Sequence, residues 1–131
     1  MQIATFEELL VAAAVQPQPQ RLLMTFAVAE PEPEPDHPAS APRRTTLVPV
    51  MCVDKQVGEL DTFANLAEES ERMGQEWDVL LVTSLSGQNG RLPDTRQTDD
   101  ALRQMVELVR AGQMERLLAF DRSGDLLRHA A

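Results

Sequence analysis

The sequence predicts a small α/β domain, with an α+β arrangement as the alternative, built on a mixed sheet of four or five strands with about three helices. Apolar residues recur at helical spacing in three segments, and apolar runs of strand length lie between them. The chain has 131 residues, enough for one core, so we assign 1–131 to a single domain. The predicted order of elements is α-β-β-α-β-α-β-β.

The first helix is predicted at residues 5–15, followed by two strands at 22–29 and 46–53. Thr5 begins a capping box, and the apolar residues behind it recur at positions i, i+3, i+4 and i+7. No helix pattern lies between the two strands, which favours an antiparallel first pair. Pro49 has no amide hydrogen, so it should lie at a strand start, an edge or a bulge.

Residues 30–45 are predicted to form a mobile surface loop. Five of the nine prolines of the chain lie there, and glutamates separate the first three of them. The segment has almost no large apolar side chain with which to pack against a core. A proline-rich and charged composition of this kind favours an extended chain.

The strongest apolar run, at residues 77–85, is predicted as the central strand of the sheet, covered on both faces. A helix is predicted before it at 58–74, and another after it, capped by Thr98 and ended by Gly112. A hairpin with Gly124 in the left-handed conformation closes the chain. If the two helices form right-handed crossovers, strands two, three and four run parallel.

The composition excludes several classes of function. Twelve basic against 21 acidic residues give a net charge of −9, so we expect neither nucleic-acid nor membrane partners. Cys52 is the single cysteine, which excludes an internal disulfide and fits a buried thiol in the cytoplasm. His37 and His129 lie in the proline-rich loop and in the last three residues. We therefore expect no metal site and no cofactor.

Polar side chains follow predicted strands two, three and four at the ends where parallel α/β sheets bind ligands. Because the three strands are predicted to be parallel, these side chains should meet at one edge and hold a small polar ligand or a peptide. The candidate residues are Asp54, Lys55, Ser84, Ser86, Gly87, Arg91, Asp121 and Arg122. Ordinary turn chemistry is the alternative explanation, since Asp, Ser and Gly are frequent in turns.

The predicted second helix carries an acidic ridge. From Glu59 to Asp78 the sequence has seven acidic residues and one basic residue, Arg72. A ridge of this kind either faces a basic partner or is a solvated helix face. The candidate interaction residues are Glu59, Asp61, Glu68 and Glu69.

Four segments resemble a family of short uncharacterised bacterial proteins: LVPVMCVDK at 47–55, WDV at 77–79, SLSG at 84–87 and FDRSG at 120–124. Its members are often labelled ribonucleotide reductase alpha subunit, so the resemblance implies a bacterial protein and at most an accessory role in nucleotide metabolism. The labelled reaction conflicts with the residues. It needs a radical cysteine and a further cysteine pair, whereas this chain has one cysteine.

We therefore expect a non-enzymatic protein-interaction or small-ligand-binding module, because no nucleophile–base pair, metal cluster or cofactor fingerprint is visible. Its partner would be an unidentified protein or small molecule. The alternative is a small enzyme that uses Asp54, Lys55, Asp121 and Arg122. A closed pocket that holds these four groups within hydrogen-bond reach would favour the enzyme. Pairing through an uncovered sheet edge would give a homodimer.

Overall fold

The computed structural model describes residues 3–31 and 45–127. Its elements are α1 (Phe6–Ala14), β1 (Gln20–Pro31), β2 (Thr45–Gln56), a 3₁₀ turn (Val57–Glu59), α2 (Phe63–Arg72), β3 (Val79–Ser86), α3 (Thr95–Arg110), β4 (Leu118–Phe120) and β5 (Leu126–Leu127). The predicted order of helices and strands is confirmed. Most of the predicted mobile loop lies outside the described residues. No helix in the described part has the length and apolar character needed to cross a membrane.

The five strands form one sheet in the order β2-β1-β3-β4-β5, and every neighbouring pair is antiparallel. The fold is therefore α+β. The antiparallel first pair and the central position of β3 are confirmed. The parallel alignment of strands two, three and four is wrong, because β1 lies between β2 and β3, and β4 runs opposite to β3. Sequence-local patterns carry no information on this insertion, which depends on long-range pairing.

The sheet separates two apolar cores. Side chains alternate between the faces of a strand, so Leu22, Met24 and Phe26 of β1 pack with α1 and α2, whereas Leu23 and Ala27 face α3. In β3 the four residues Val79–Val82 are all buried, as expected for a strand covered on both faces. The result is a three-layer arrangement of helix, sheet and helix.

Side-chain caps determine where the helices begin. The Thr5 hydroxyl accepts a hydrogen bond from the Glu8 amide, as predicted for α1. The third helix starts one turn earlier than predicted, because Asp94 and Gln97 form a reciprocal capping box. Thr98, the predicted cap, is instead a buried residue within that first turn.

Two further predictions concern the ends and irregularities of elements. The second helix starts at Phe63 rather than near residue 58, because a 3₁₀ turn and the Thr62 cap precede it. Pro49 lies in the edge strand β2 beside the register shift between Phe26 and Ala27. The predicted placement of this proline at an edge or a bulge is confirmed.

Candidate functional site

The predicted ligand-binding edge is divided between opposite ends of the sheet. Lys55 and Ser84 are level with Leu22 of β1, whereas Phe120 at the end of β4 pairs with Leu80, which is level with Phe26. Four residues along a strand separate the two levels by about 13 Å. Asp121 and Arg122, which follow β4, therefore do not meet the residues at the ends of β2 and β3. The prediction failed because β4 runs antiparallel to β3.

Asp54 and Lys55 also point away from each other. The Asp54 carboxylate pairs with Arg21 at 2.9 Å, on the α3 face of the sheet. The Lys55 ammonium pairs with Glu69 of α2 at 2.8 Å, on the opposite face. Adjacent strand residues alternate between faces, so no pocket brings the two groups together. The four groups of the alternative enzyme are thus not assembled into one site.

Asp121 and Arg122 take part in contacts that hold the last hairpin. The Asp121 carboxylate accepts a hydrogen bond from the amide of Ser123 at 2.8 Å, which closes the turn. The Arg122 guanidinium lies 4.2 Å from the centroid of the Trp77 ring and pairs with Glu71 at 2.7 Å. Turn hydrogen bonds thus account for the Asp121 side chain, and cation–π and ionic contacts account for the Arg122 side chain, without a ligand.

Gly87 and Arg91 belong to a two-residue hairpin rather than to a ligand cradle. Gln88 and Arg91 exchange two backbone hydrogen bonds of 3.0 and 2.9 Å around Asn89 and Gly90, which have φ values of 54° and 75°. Asn-Gly is the dipeptide that favours this type I′ turn, so the sequence does signal the hairpin, although only a loop was expected there. A Cβ atom at Gly87 would lie 1.9 Å from the carbonyl oxygen of Arg91.

A polar groove of about 980 Å³ lies between this hairpin and the start of α3. Several of its polar side chains already have partners within the chain: Asp94 bonds Gln97 reciprocally, and Ser86 accepts from Gln20 at 3.0 Å. The groove includes three residues of the predicted edge, namely Ser86, Gly87 and Arg91.

Each acidic residue predicted to face a partner has a bonding partner inside the chain. The pairs are Glu59 with the Gln56 amide, Asp61 with the Thr62 amide, Glu68 with Arg72, and Glu69 with Lys55. The hydrogen bond from the Thr62 amide, and then the one from Asn65, lowers the pKa of Asp61 below its ordinary value. These carboxylates thus serve local turns, caps and ion pairs.

The two edges of the sheet differ. The β5 edge is joined by the N-terminal segment, because the Leu126 amide donates to the Ala4 carbonyl at 2.8 Å and Thr5 bridges to Asp125. On β2, in contrast, no strand within residues 3–31 and 45–127 pairs with the outer side. We refer to the outer side of β2 from Leu47 to Gln56 as the open edge.

A shallow groove of about 350 Å³ lies between Cys52 of β2 and the adjacent side of α3, and we call it the edge groove. Cys52, Leu102 and Val106 supply its apolar part. Its charged residues are Asp99, Arg103, Glu107 and Arg110. Cys52 is exposed, so the expectation of a buried thiol is wrong. The reason is that β2 is an edge strand. Cys52 lies on the face of β2 that is turned toward α3, but α3 does not cover the outer part of that face.

The charged side chains of the edge groove are largely unpaired. Asp99, Glu107 and Arg110 make no ion pair within the described part of the chain, and Arg103 makes a single contact of 3.8 Å with Asp100. The acidic residues around α2 differ in this respect, because Glu68 and Glu69 are paired. As far as the described ranges reach, the edge groove therefore combines apolar surface with charges that lack good partners, and it lies beside the unpaired backbone groups of the open edge.

Neither a family model, nor a curated protein, nor a solved structure matches this chain. The resemblance to the bacterial family stays a prediction. Within residues 3–31 and 45–127, no three His, Cys, Asp or Glu side chains are grouped so as to hold a metal ion. Inference about function therefore starts from the open edge and the two grooves.

Proposed function

We propose that this protein is a non-enzymatic protein-interaction module that binds a partner by adding one partner strand to the open edge of β2. The observation that carries the proposal is the difference between the two edges of the sheet. The chain covers the β5 edge with its own N-terminal segment, whereas no segment of the described ranges pairs with the outer side of β2 from Leu47 to Gln56.

Strand addition satisfies backbone groups that an edge strand leaves unpaired. Natural proteins protect such edges with short strands, prolines, bulges or a covering segment, because unprotected edges pair with other chains. Here Pro49 and the bulge at Val50 interrupt one part of the strand, and the segment from Met51 to Gln56 stays regular. Main-chain hydrogen bonds along this segment would supply affinity for a partner strand.

The edge groove would supply specificity. A partner strand that pairs with β2 places alternate side chains over the α3 face, where Leu102 and Val106 offer apolar contact. The unpaired charges of α3 lie beside this surface and select a partner with complementary charges. The recognised class is therefore an extended segment with alternating apolar side chains and flanking charges.

The experiment is selection of a phage-displayed library of random extended peptides on the immobilised full chain. We expect selected peptides to bind and to slow hydrogen exchange of amides on the open edge. Cys52→Lys places a charge over the edge groove at an exposed position, and binding should be lost, since lysine protects natural edges. Ser84→Lys is the matched control, because it adds the same charge at an exposed position of β3. Selected peptides that bind the Cys52→Lys variant as tightly as they bind the native chain would contradict the proposal.

The polar groove supports a second candidate function, the binding of a small polar ligand. Its volume of about 980 Å³ is at the upper end of ordinary ligand pockets. Native mass spectrometry of the freshly purified chain tests this candidate. A bound small molecule that is lost in Arg91→Gln but kept in Cys52→Lys would favour the polar groove over the open edge.

A further inference from the structure

We propose that the strand added to the open edge is β2 of a second copy of this chain. The two copies are related by a two-fold axis, so β2 pairs with β2 of the second copy and α3 packs against α3 of the second copy. This inference rests on the proposed function, because it names the partner for the same edge. A two-fold axis normal to the sheet pairs two edge strands antiparallel and keeps both α3 helices on one face. The two sheets would then form one continuous sheet.

The order of charges on α3 fits an antiparallel copy of itself. Along the edge groove the charges alternate as negative, positive, negative, positive at Asp99, Arg103, Glu107 and Arg110. An antiparallel helix presents the reverse order, so Asp99 faces Arg110 of the second copy and Arg103 faces Glu107. A parallel helix would place like charges opposite one another. The same side chains lack good partners within the described part of one chain, which leaves them available for these pairs.

The positions of α3 and β2 allow both contacts at once. Paired strands lie about 4.8 Å apart, and α3 packs on β2 and, beside it, on β1. A helix above the boundary between these strands lies about 10 Å from its symmetry mate, which is an ordinary distance for packed helices. Leu102 and Val106, near the middle of the charge pattern, would then meet their counterparts.

Cys52 marks the centre of the pairing. It is the β2 residue that lines the edge groove. The α3 side chains that line the groove with it come from both sides of the midpoint between Arg103 and Glu107. Antiparallel pairing about Cys52 places Met51 opposite Val53 and the bulged Val50 opposite Asp54. Neither Asp54 nor Lys55 faces its own counterpart, so no like charges are opposed across the strands.

The first test measures mass by light scattering over a range of concentrations of the full chain. We expect twice the 14.6 kDa of one chain. Arg103→Glu and Glu107→Arg each oppose like charges at residues 103 and 107 across the axis. Each should weaken self-association by at least about tenfold, since like charges at an interface oppose binding.

Charge exchange separates this interface from a general effect on folding. The double variant R103E/E107R restores opposite charges across the axis and should dimerise like the native chain. An equal mixture of Arg103→Glu and Glu107→Arg should form a heterodimer, although neither self-associates well. If the double variant stays as weak as the single variants, the proposed pairing is wrong.

The single cysteine supplies a distance test, because any disulfide must join two chains. Residues directly opposite in an antiparallel pair have Cα atoms about 4.5–5.5 Å apart, within the range of a disulfide. With copper phenanthroline as oxidant, the native chain should form a covalent dimer rapidly, and Glu107→Arg should do so slowly. A chain that stays monomeric overturns this inference, whereas selected peptides that still bind the open edge keep the proposed function. A dimer that the charge variants do not weaken also overturns it.

Discussion

At the scale of single residues, buried polar atoms divide into those with a partner and those without. The indole N–H of Trp77 donates to the Ser70 hydroxyl at 2.8 Å, and the Thr98 hydroxyl donates to the Asp94 carbonyl at 2.8 Å. The Thr25 hydroxyl is fully buried and has no partner within residues 3–31 and 45–127. A buried hydroxyl without a hydrogen bond lowers the stability of the fold, because its hydrogen bonds to water in the unfolded chain are not replaced in the folded state.

Replacing Thr25 by valine should therefore stabilise the fold. Valine has the same shape without the unpaired hydroxyl, so we expect Thr25→Val to raise the free energy of unfolding by about 1 kcal/mol. Thr98→Val is the matched control, since it removes a hydroxyl with a partner, and it should lower that free energy by about 1 kcal/mol. Urea unfolding measures both changes. A loss of stability in Thr25→Val would mean that this hydroxyl is hydrogen-bonded.

At the scale of elements, local signals predicted what local contacts determine. The capping residue of α1 and the left-handed Gly124 of the last hairpin follow from their immediate neighbours, and both predictions are confirmed. The start of α3 was misplaced by one turn, because Asp94 and Thr98 are both residue types that cap helices. The Asp-x-x-Gln spacing of the actual cap was the better signal.

The hairpin after β3 yields a prediction about its glycine. Gly87→Ala places a Cβ atom against the backbone of Arg91, which cannot move without disturbing the turn, so we expect a loss of about 2–3 kcal/mol. Gly58→Ala is the control, because Gly58 is exposed and nothing lies within 4 Å of an added Cβ. It should change the free energy of unfolding by less than about 0.5 kcal/mol. Thermal and urea unfolding compare the two, and equal effects would contradict the steric explanation.

At the scale of the whole molecule, the prediction of a shared ligand-binding edge failed because of the direction of the strands. The candidate side chains do lie at or near the ends of their strands, but the edge they were to share required parallel strands. The insertion of β1 between β2 and β3 and the reversed direction of β4 are long-range features. The open edge likewise became visible only when the order of all five strands was known.

The exposure of Cys52 follows from the same order of strands. An apolar run with a central cysteine fits a buried strand as well as an edge strand, since the local pattern is the same for both. What differs is the neighbour on the outer side, and no such neighbour of β2 is found in the described ranges. The sequence thus placed Pro49 at an edge or a bulge and allowed for an uncovered sheet edge, but it could not show that the outer side of β2 is that edge.

The proposed dimer must overcome repulsion between two chains of net charge −9. With centres about 30 Å apart, two such charges repel by roughly 10 kcal/mol in water without salt. The Debye length falls from about 30 Å at 0.01 M salt to about 8 Å at 0.15 M, which removes most of this repulsion. The charges of an ion pair across the interface are about 4 Å apart, which is shorter than the Debye length at either salt concentration. The attraction within these pairs therefore changes little.

Self-association should therefore strengthen when salt rises from about 0.01 M to 0.15 M, by at least about tenfold in Kd, because the long-range repulsion is screened first. Near 1 M the Debye length is about 3 Å, so the ion pairs across the interface weaken and the gain should level off or reverse. Sedimentation at three salt concentrations measures this dependence. The double variant R103E/E107R keeps the net charge of −9 and should follow the same curve. A Kd that rises steadily from the lowest salt would show that attraction between unlike charges outweighs the net repulsion, contrary to this estimate.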